Sequence, residues 1–247
     1  MSNSISEIQK FVQDTLNSLL GSLNDGFADN ELAYLSSQGK NELQVRDKIA
    51  WLLHCEVTKK YGDQYIVCRE WSPKEFGKQK VDLAVLELNA KCTDINSVIA
   101  MIEFKAQSIV KKENWYLKEF EHDIDKMQKM AEDCTICQDA DLYFVFLETG
   151  QEGKVDAYKP IIAYSQYLTR TVKYREDADY ISTIRSHWEE FNNVLAGCVK
   201  NQEPKVIYIG NVYGSNQYIS PLIIGPLKAK DIKFNITKLK QSVAYPN

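Results

Sequence analysis

Two consecutive apolar segments of this chain carry charges where charges are costly. Residues 80–88 read KVDLAVLEL and residues 98–106 read VIAMIEFKA, and each has the length and apolar content of a strand buried on both faces. Asp82 interrupts the first segment, and Glu103 and Lys105 interrupt the second. Side chains alternate across a strand, so Glu103 and Lys105 share one face while Ile102, Phe104 and Ala106 take the other. The polar stretch 89–97 makes a hairpin the simplest connection, and a hairpin lets Asp82 lie beside Glu103 at the strand ends. Ionised groups inside a buried strand are destabilising unless they are paired or bind a metal.

The flanking segments read as helices and further strands. Ile5, Ile8, Phe11, Val12, Leu16, Leu19, Leu20 and Leu23 recur at spacings of three and four, which predicts an amphipathic packing helix over 5–23. A short helix over 30–36 leads to a break at Gly39. Asn41, with Gln44 three residues on, then reads as the N-cap of a helix running to about Glu56 and burying Val45, Ile49, Leu52 and Leu53. A strand over 64–71 stops at Ser72-Pro73. After the two charged strands, Leu117, Phe120, Ile124, Met127 and Met130 mark one face of a helix over 113–132, and 140–148 (ADLYFVFLE) is again a central-type strand. Downstream, 160–167 reads as a strand or short helix, 177–199 as a helix, and 205–213 and 218–224 as strands that either extend the same sheet or form an appended module. The predicted organisation is an N-terminal helical extension over 1–39, a core over 40–150 and a C-terminal α/β extension over 151–247 that no linker composition separates from the core.

Composition excludes several classes. Apolar residues at 44% and charged residues at 26% rule out wholesale disorder and fibrous architectures. The longest apolar run, Leu142–Leu147, falls far short of the roughly 20 residues of a spanning helix. Residues 1–14 lack a basic region followed by an apolar one, so no secretory signal is read and a cytoplasmic, membrane-free protein is expected. The six cysteines are scattered and read as reduced thiols; Cys134 and Cys137 form a CxxC without the second pair that a tetrahedral zinc site needs. A net charge of −4 argues against indiscriminate coating of polyanions, although 69–80 and 228–240 are locally basic. The absence of a GxxxxGK[ST] sequence excludes an ATP-driven motor within the chain. His122, beside Asp123 and Asp125, reads as part of a solvated helix face.

Two carboxylates converging on one point suit Mg²⁺, which takes oxygen ligands and keeps waters toward a substrate. A neighbouring ammonium adds stabilisation of negative charge, the combination that phosphodiester hydrolysis requires. Asp82, followed after about twenty residues by Glu103-Phe104-Lys105 within a helix, three-strand, helix, strand order, resembles the PD-(D/E)xK nuclease superfamily. Val81 stands where the name-giving Pro would be. The resemblance covers 40–150 and implies an α/β fold with a restriction-endonuclease-like mixed central sheet flanked by helices, an α-β-β-β-α-β core. It further implies that Asp82 and Glu103 ligate Mg²⁺, with Mn²⁺ able to substitute, and that Lys105 positions or activates the attacking water. Glu42, on the helix begun by Asn41, would be an auxiliary ligand reached through water, with Glu31 as the alternative. Gln107 follows the motif and reads as a substrate or water contact or as a plain strand end. Lys111 and Lys112, near Trp115-Tyr116, read as a grip on phosphates and bases or as helix-start packing. The implied activity is a Mg²⁺-dependent DNA endonuclease of a restriction or anti-phage defence type, working as a homodimer, with any motor, methylase or activating subunit separate. The alternatives are a non-catalytic nucleic-acid-binding or assembly module on the same fold, and a nuclease activated by a partner.

Overall fold

The computed structural model describes residues 4–37, 41–108, 115–152, 205–212 and 214–232, with isolated positions 185 and 189. Helix α1 (Ile5–Gly21) begins at Ser4, whose hydroxyl accepts the Glu7 N–H, and buries Ile8, Val12, Leu16 and Leu20 on one stripe. Helix α2 (Glu31–Ser37) follows, with Glu31 accepting the Ala28 N–H at 2.8 Å. Helix α3 (Glu42–Tyr61) runs one turn past its predicted end, because Val57 continues the buried stripe of Val45, Ile49 and Leu53, and it stops at Gly62 (φ 89°). Asn41 does not cap α3 through its side chain as expected: its amide donates instead to Ser36 Oγ at 2.8 Å, tying the start of α3 to α2.

Strands β1 (Tyr65–Trp71), β2 (Val81–Leu88) and β3 (Ile95–Ser108) form an antiparallel meander. Helix α4 (Trp115–Asp133) then carries the chain over to β4 (Asp141–Glu152), which pairs with β3 in parallel, as a helical crossover permits. Strands β5 (Ile207–Val212) and β6 (Ser215–Leu227) join the same sheet, giving the order β1-β2-β3-β4-β6-β5. The two C-terminal strands thus extend the central sheet, one of the two arrangements the sequence left open. The fold is α/β with a mixed six-stranded sheet. The readings at Gly39, 160–167 and 177–199 lie outside the described residues.

Both faces of the sheet are covered. Helices α1, α2 and α3 pack on one, against Leu83, Val85, Ile102, Phe104, Val145 and Leu147. Helix α4 packs on the other, against Ala84, Met101, Phe144, Phe146, Leu222 and Ile224. Burial on both faces explains why β4 is a continuous apolar run without alternation. Among the described residues no helix is long and apolar enough to cross a membrane.

Candidate functional site

The ladder between β2 and β3 ends at Leu83–Ile102, and beyond that pair carboxylates take over the work of a strand. The Phe104 N–H donates to Asp82 Oδ2 at 2.8 Å, and the Ala106 N–H donates to Glu42 Oε2 at 2.9 Å. Two successive outward-facing donors of β3 are therefore satisfied by acidic side chains, one from β2 and one from the first turn of α3. The Asp82 N–H donates in turn to Glu103 Oε2 at 3.3 Å. The antiparallel register places Asp82 across from Glu103, and on the other side Glu70 (φ 51°) stands across from Asp82 between the pairs Arg69–Leu83 and Trp71–Val81. Three acidic residues thus form one row across β1, β2 and β3, an arrangement that is repulsive without counter-charges.

The counter-charges come from both helical layers. Arg46, one turn after Glu42 on α3 and only 6% exposed, pairs with Asp82 at 3.2 Å, with Asp47 at 3.0 Å and with Glu70. Arg69 also pairs with Asp47, so the head of the basic stretch 69–80 is engaged. From the opposite face, Lys126 of α4 donates to Glu103 Oε1 at 2.8 Å and lies 3.2 Å from Asp123 Oδ1. Asp123 Oδ2 is 2.8 Å from the Lys105 ammonium. Among the described residues, the resulting network holds five ion-paired carboxylates (Asp47, Glu70, Asp82, Glu103, Asp123) and four cations (Arg46, Arg69, Lys105, Lys126), with Glu42 beside it on the Ala106 N–H.

Burial first, and the neighbouring Asp82 second, push the Glu103 carboxyl up to about 8, with Lys126 opposing. Burial also raises Glu42, opposed by the Ala106 N–H and by Lys105. For Lys105 and Lys126 burial favours the neutral amine, but their carboxylate partners, Asp123 for the first and Glu103 for the second, outweigh it and hold both ammoniums above the ordinary lysine range. Among the described residues, no group of three or more His, Cys, Asp or Glu side chains is gathered as a ready-made metal cage.

No protein-family model, no curated protein and no solved structure matches this chain.

Of the residues singled out from sequence, Asp82, Glu103, Lys105 and Glu42 meet at this point, while Glu31 is exposed and occupied in its own turn before α2. The Gln107 backbone lies in register with Glu148 of β4, and Lys111 and Lys112 lie outside the described residues. Six members of the network were not anticipated as site residues: Arg46, Asp47, Arg69, Glu70, Asp123 and Lys126. Asp123 corrects the reading of a solvated face. His122 and Asp125 are exposed, but Asp123 is 5% exposed, because it sits three residues after Phe120 and four before Met127 on the inward stripe. That spacing was the available signal, as was the position of Arg46 between the inward residues Val45 and Ile49. Cys134 and Cys137 are both buried, and burial together with Cys134 pushes the Cys137 thiol up, the opposite of an activated thiolate. Lys228, in the second basic stretch, pairs with Asp141 at 2.7 Å.

Proposed function

We propose that this chain is a Mg²⁺-dependent DNA nuclease of the PD-(D/E)xK type, with a restriction-endonuclease-like core formed by α3, β1 to β3, α4 and β4. The observation that carries the reading is the meeting of Asp82 and Glu103 across β2 and β3, with Lys105 two residues further along the same face of β3. The donor set suits the ion. Mg²⁺ characteristically uses one or two carboxylates and completes its shell with waters and substrate phosphates, so a pair of acids is sufficient and a protein cage is not required. The like-charge pressure of Asp82 on Glu103 is relieved by a divalent cation.

In this reading Asp82 and Glu103 hold Mg²⁺, or Mn²⁺ in its place, and the ion supplies a water made nucleophilic near neutral pH and charge neutralisation at the phosphate. Lys105 presents an ammonium beside those ligands, where it steadies the attacking water and negative charge developing on the phosphate. Glu42, anchored on the Ala106 N–H, orients a ligand water. The paired cations Arg46 and Lys126 keep the acids in place before substrate arrives. Cutting both strands of a duplex needs two such sites, which a symmetric homodimer provides; sedimentation of the protein with and without DNA tests this, and a monomer under both conditions contradicts it.

The test of the activity is incubation of the purified protein with supercoiled and linear DNA in Mg²⁺, in Mn²⁺ and in EDTA. Nicking or linearisation that requires the metal is the expected result, and intact DNA under all three conditions contradicts a self-sufficient nuclease. One observation favours a second reading, a binding or assembly module on the same fold: Arg46 and Lys126 already neutralise the carboxylates without any metal. On that reading the protein retains DNA in EDTA and never cuts it. Cutting that begins only when a partner is added separates out the partner-activated form.

A further inference from the structure

The Lys126 ammonium occupies Glu103 Oε1 at 2.8 Å, on a carboxylate that the proposed chemistry turns toward a metal. It is not a passing surface contact, since the side chain of Lys126 is only 10% exposed and that of Glu103 7%. The same ammonium is 3.2 Å from Asp123 Oδ1, one helical turn earlier on α4, while the other oxygen of Asp123 holds Lys105 at 2.8 Å. Asp123 is therefore shared by two ammoniums, and Lys126 is shared by two carboxylates.

We propose that Lys126 is the resident counter-cation of Glu103 in the metal-free protein, and that it shifts its pairing onto Asp123 when Glu103 turns to a divalent ion, loosening the hold of Asp123 on Lys105. The inference rests on reading Asp82 and Glu103 as the metal ligands. Its physical basis is competition: an ammonium and a divalent ion on one buried carboxylate repel each other, and only the ammonium has a second acceptor already within reach. The shift needs no rearrangement of α4, because Lys126 touches both carboxylates from one position. Its consequence is that the Lys105 ammonium, pinned to the helix in the metal-free state, becomes available on the substrate side when the metal ligands are engaged. Asp123 and Lys126 are thus positioning residues, acting through Lys105 and Glu103.

The test is direct Mn²⁺ binding to the full chain without DNA, read as free Mn²⁺ by electron paramagnetic resonance at one fixed alkaline pH. The proteins compared are wild type, Lys126→Met, Lys126→Gln, Lys126→Arg and Glu103→Gln, each checked for folding by circular dichroism. Removing the competing charge is expected to tighten Mn²⁺ binding about tenfold in the Met and Gln variants, with Arg restoring near-wild-type affinity and Glu103→Gln weakening it. If Lys126 merely supported the fold, replacing it would lower affinity and melting temperature together. Wild-type binding with equal or weaker binding in folded Lys126→Met or Lys126→Gln overturns this inference alone. If neither wild type nor those variants binds Mn²⁺, the assignment of Asp82 and Glu103 as ligands fails and takes the inference with it.

Discussion

At the scale of single residues, the centre of the account is Glu103, whose carboxyl is raised from an ordinary 4.5 to about 8 by burial and by Asp82. The sign of the pH effect follows. Below 4.5 the group is protonated in both folded and unfolded chains and its contribution to stability is fully present; as pH rises toward about 8 the unfolded chain ionises it while the folded protein resists, and stability is lost. Melting curves in EDTA are expected to shift downward between mildly acidic and mildly alkaline pH, and more for wild type than for Glu103→Gln, which has no proton to lose there. Equal shifts in the two proteins contradict the raised carboxyl. Metal binding below pH 8 is expected to release a proton from this group, measurable by titration calorimetry in buffers of different ionisation enthalpy. The Asp82, Glu103 and Lys105 triad was legible in the sequence because charges break apolar strands of period two. Glu70 was not, because it sits beside Arg69 at the polar end of its strand and only the register reveals that it stands across from Asp82.

At the scale of elements, the site is a consequence of the β2–β3 ladder stopping short of the start of β2 while β3 runs on, and of α3 and α4 arriving from opposite faces. Arg46 is the clamp of the α3 side, and replacing it with Met leaves Asp82 partly buried without its cation. A loss of roughly 3 kcal/mol in urea denaturation is expected, whereas Lys48→Met, outside the network, is expected to change little. A second joint lies between α2 and β5. Gly210 has φ 130°, and a side chain there would overlap Asn30 Oδ1, which accepts the Asn211 N–H at 2.9 Å. Gly210→Ala is expected to cost roughly 1–3 kcal/mol by strain and by disturbing this contact, measured by thermal or urea melts. A neutral effect would show that α2 is not held to the sheet in this way. Among the described residues, most helix and strand positions were readable from periodicity and apolar runs, since both sheet faces are buried and each long helix keeps an apolar stripe, although β3 begins at Ile95 within the stretch read as a polar loop. What periodicity could not supply was the role of polar residues on an inward face: Asp123 occupies a core position by spacing, yet a polar residue between His122 and Ile124 reads equally well as solvated until the facing strand supplies Lys105.

At the scale of the whole molecule, the six strands form one sheet, and β6 pairs with β4 along most of the length of that strand. A chain cut after residue 152 would leave the β4 edge open and uncover Phe144 and Phe146, which pack with Leu222 and Ile224. Such a fragment is expected to be insoluble or to aggregate, and a soluble, cooperatively melting fragment would contradict the one-sheet architecture. Whether the last strands joined the sheet was open in the sequence, because no linker composition marks a boundary and strand partners are set by long-range register. The central claim is that this sheet brings Asp82, Glu103 and Lys105 together to hydrolyse DNA with a bound divalent ion. It is tested most directly by comparing wild type with Lys105→Ala in Mn²⁺ and in EDTA on supercoiled plasmid. Lys105→Ala leaves Asp123 paired with Lys126 and is expected to keep the fold. Metal-dependent cutting by wild type is expected, with at least a hundredfold slower cutting by the variant at an unchanged melting temperature, an effect on the order expected for a positioned catalytic charge. Cutting at the wild-type rate by Lys105→Ala would contradict it.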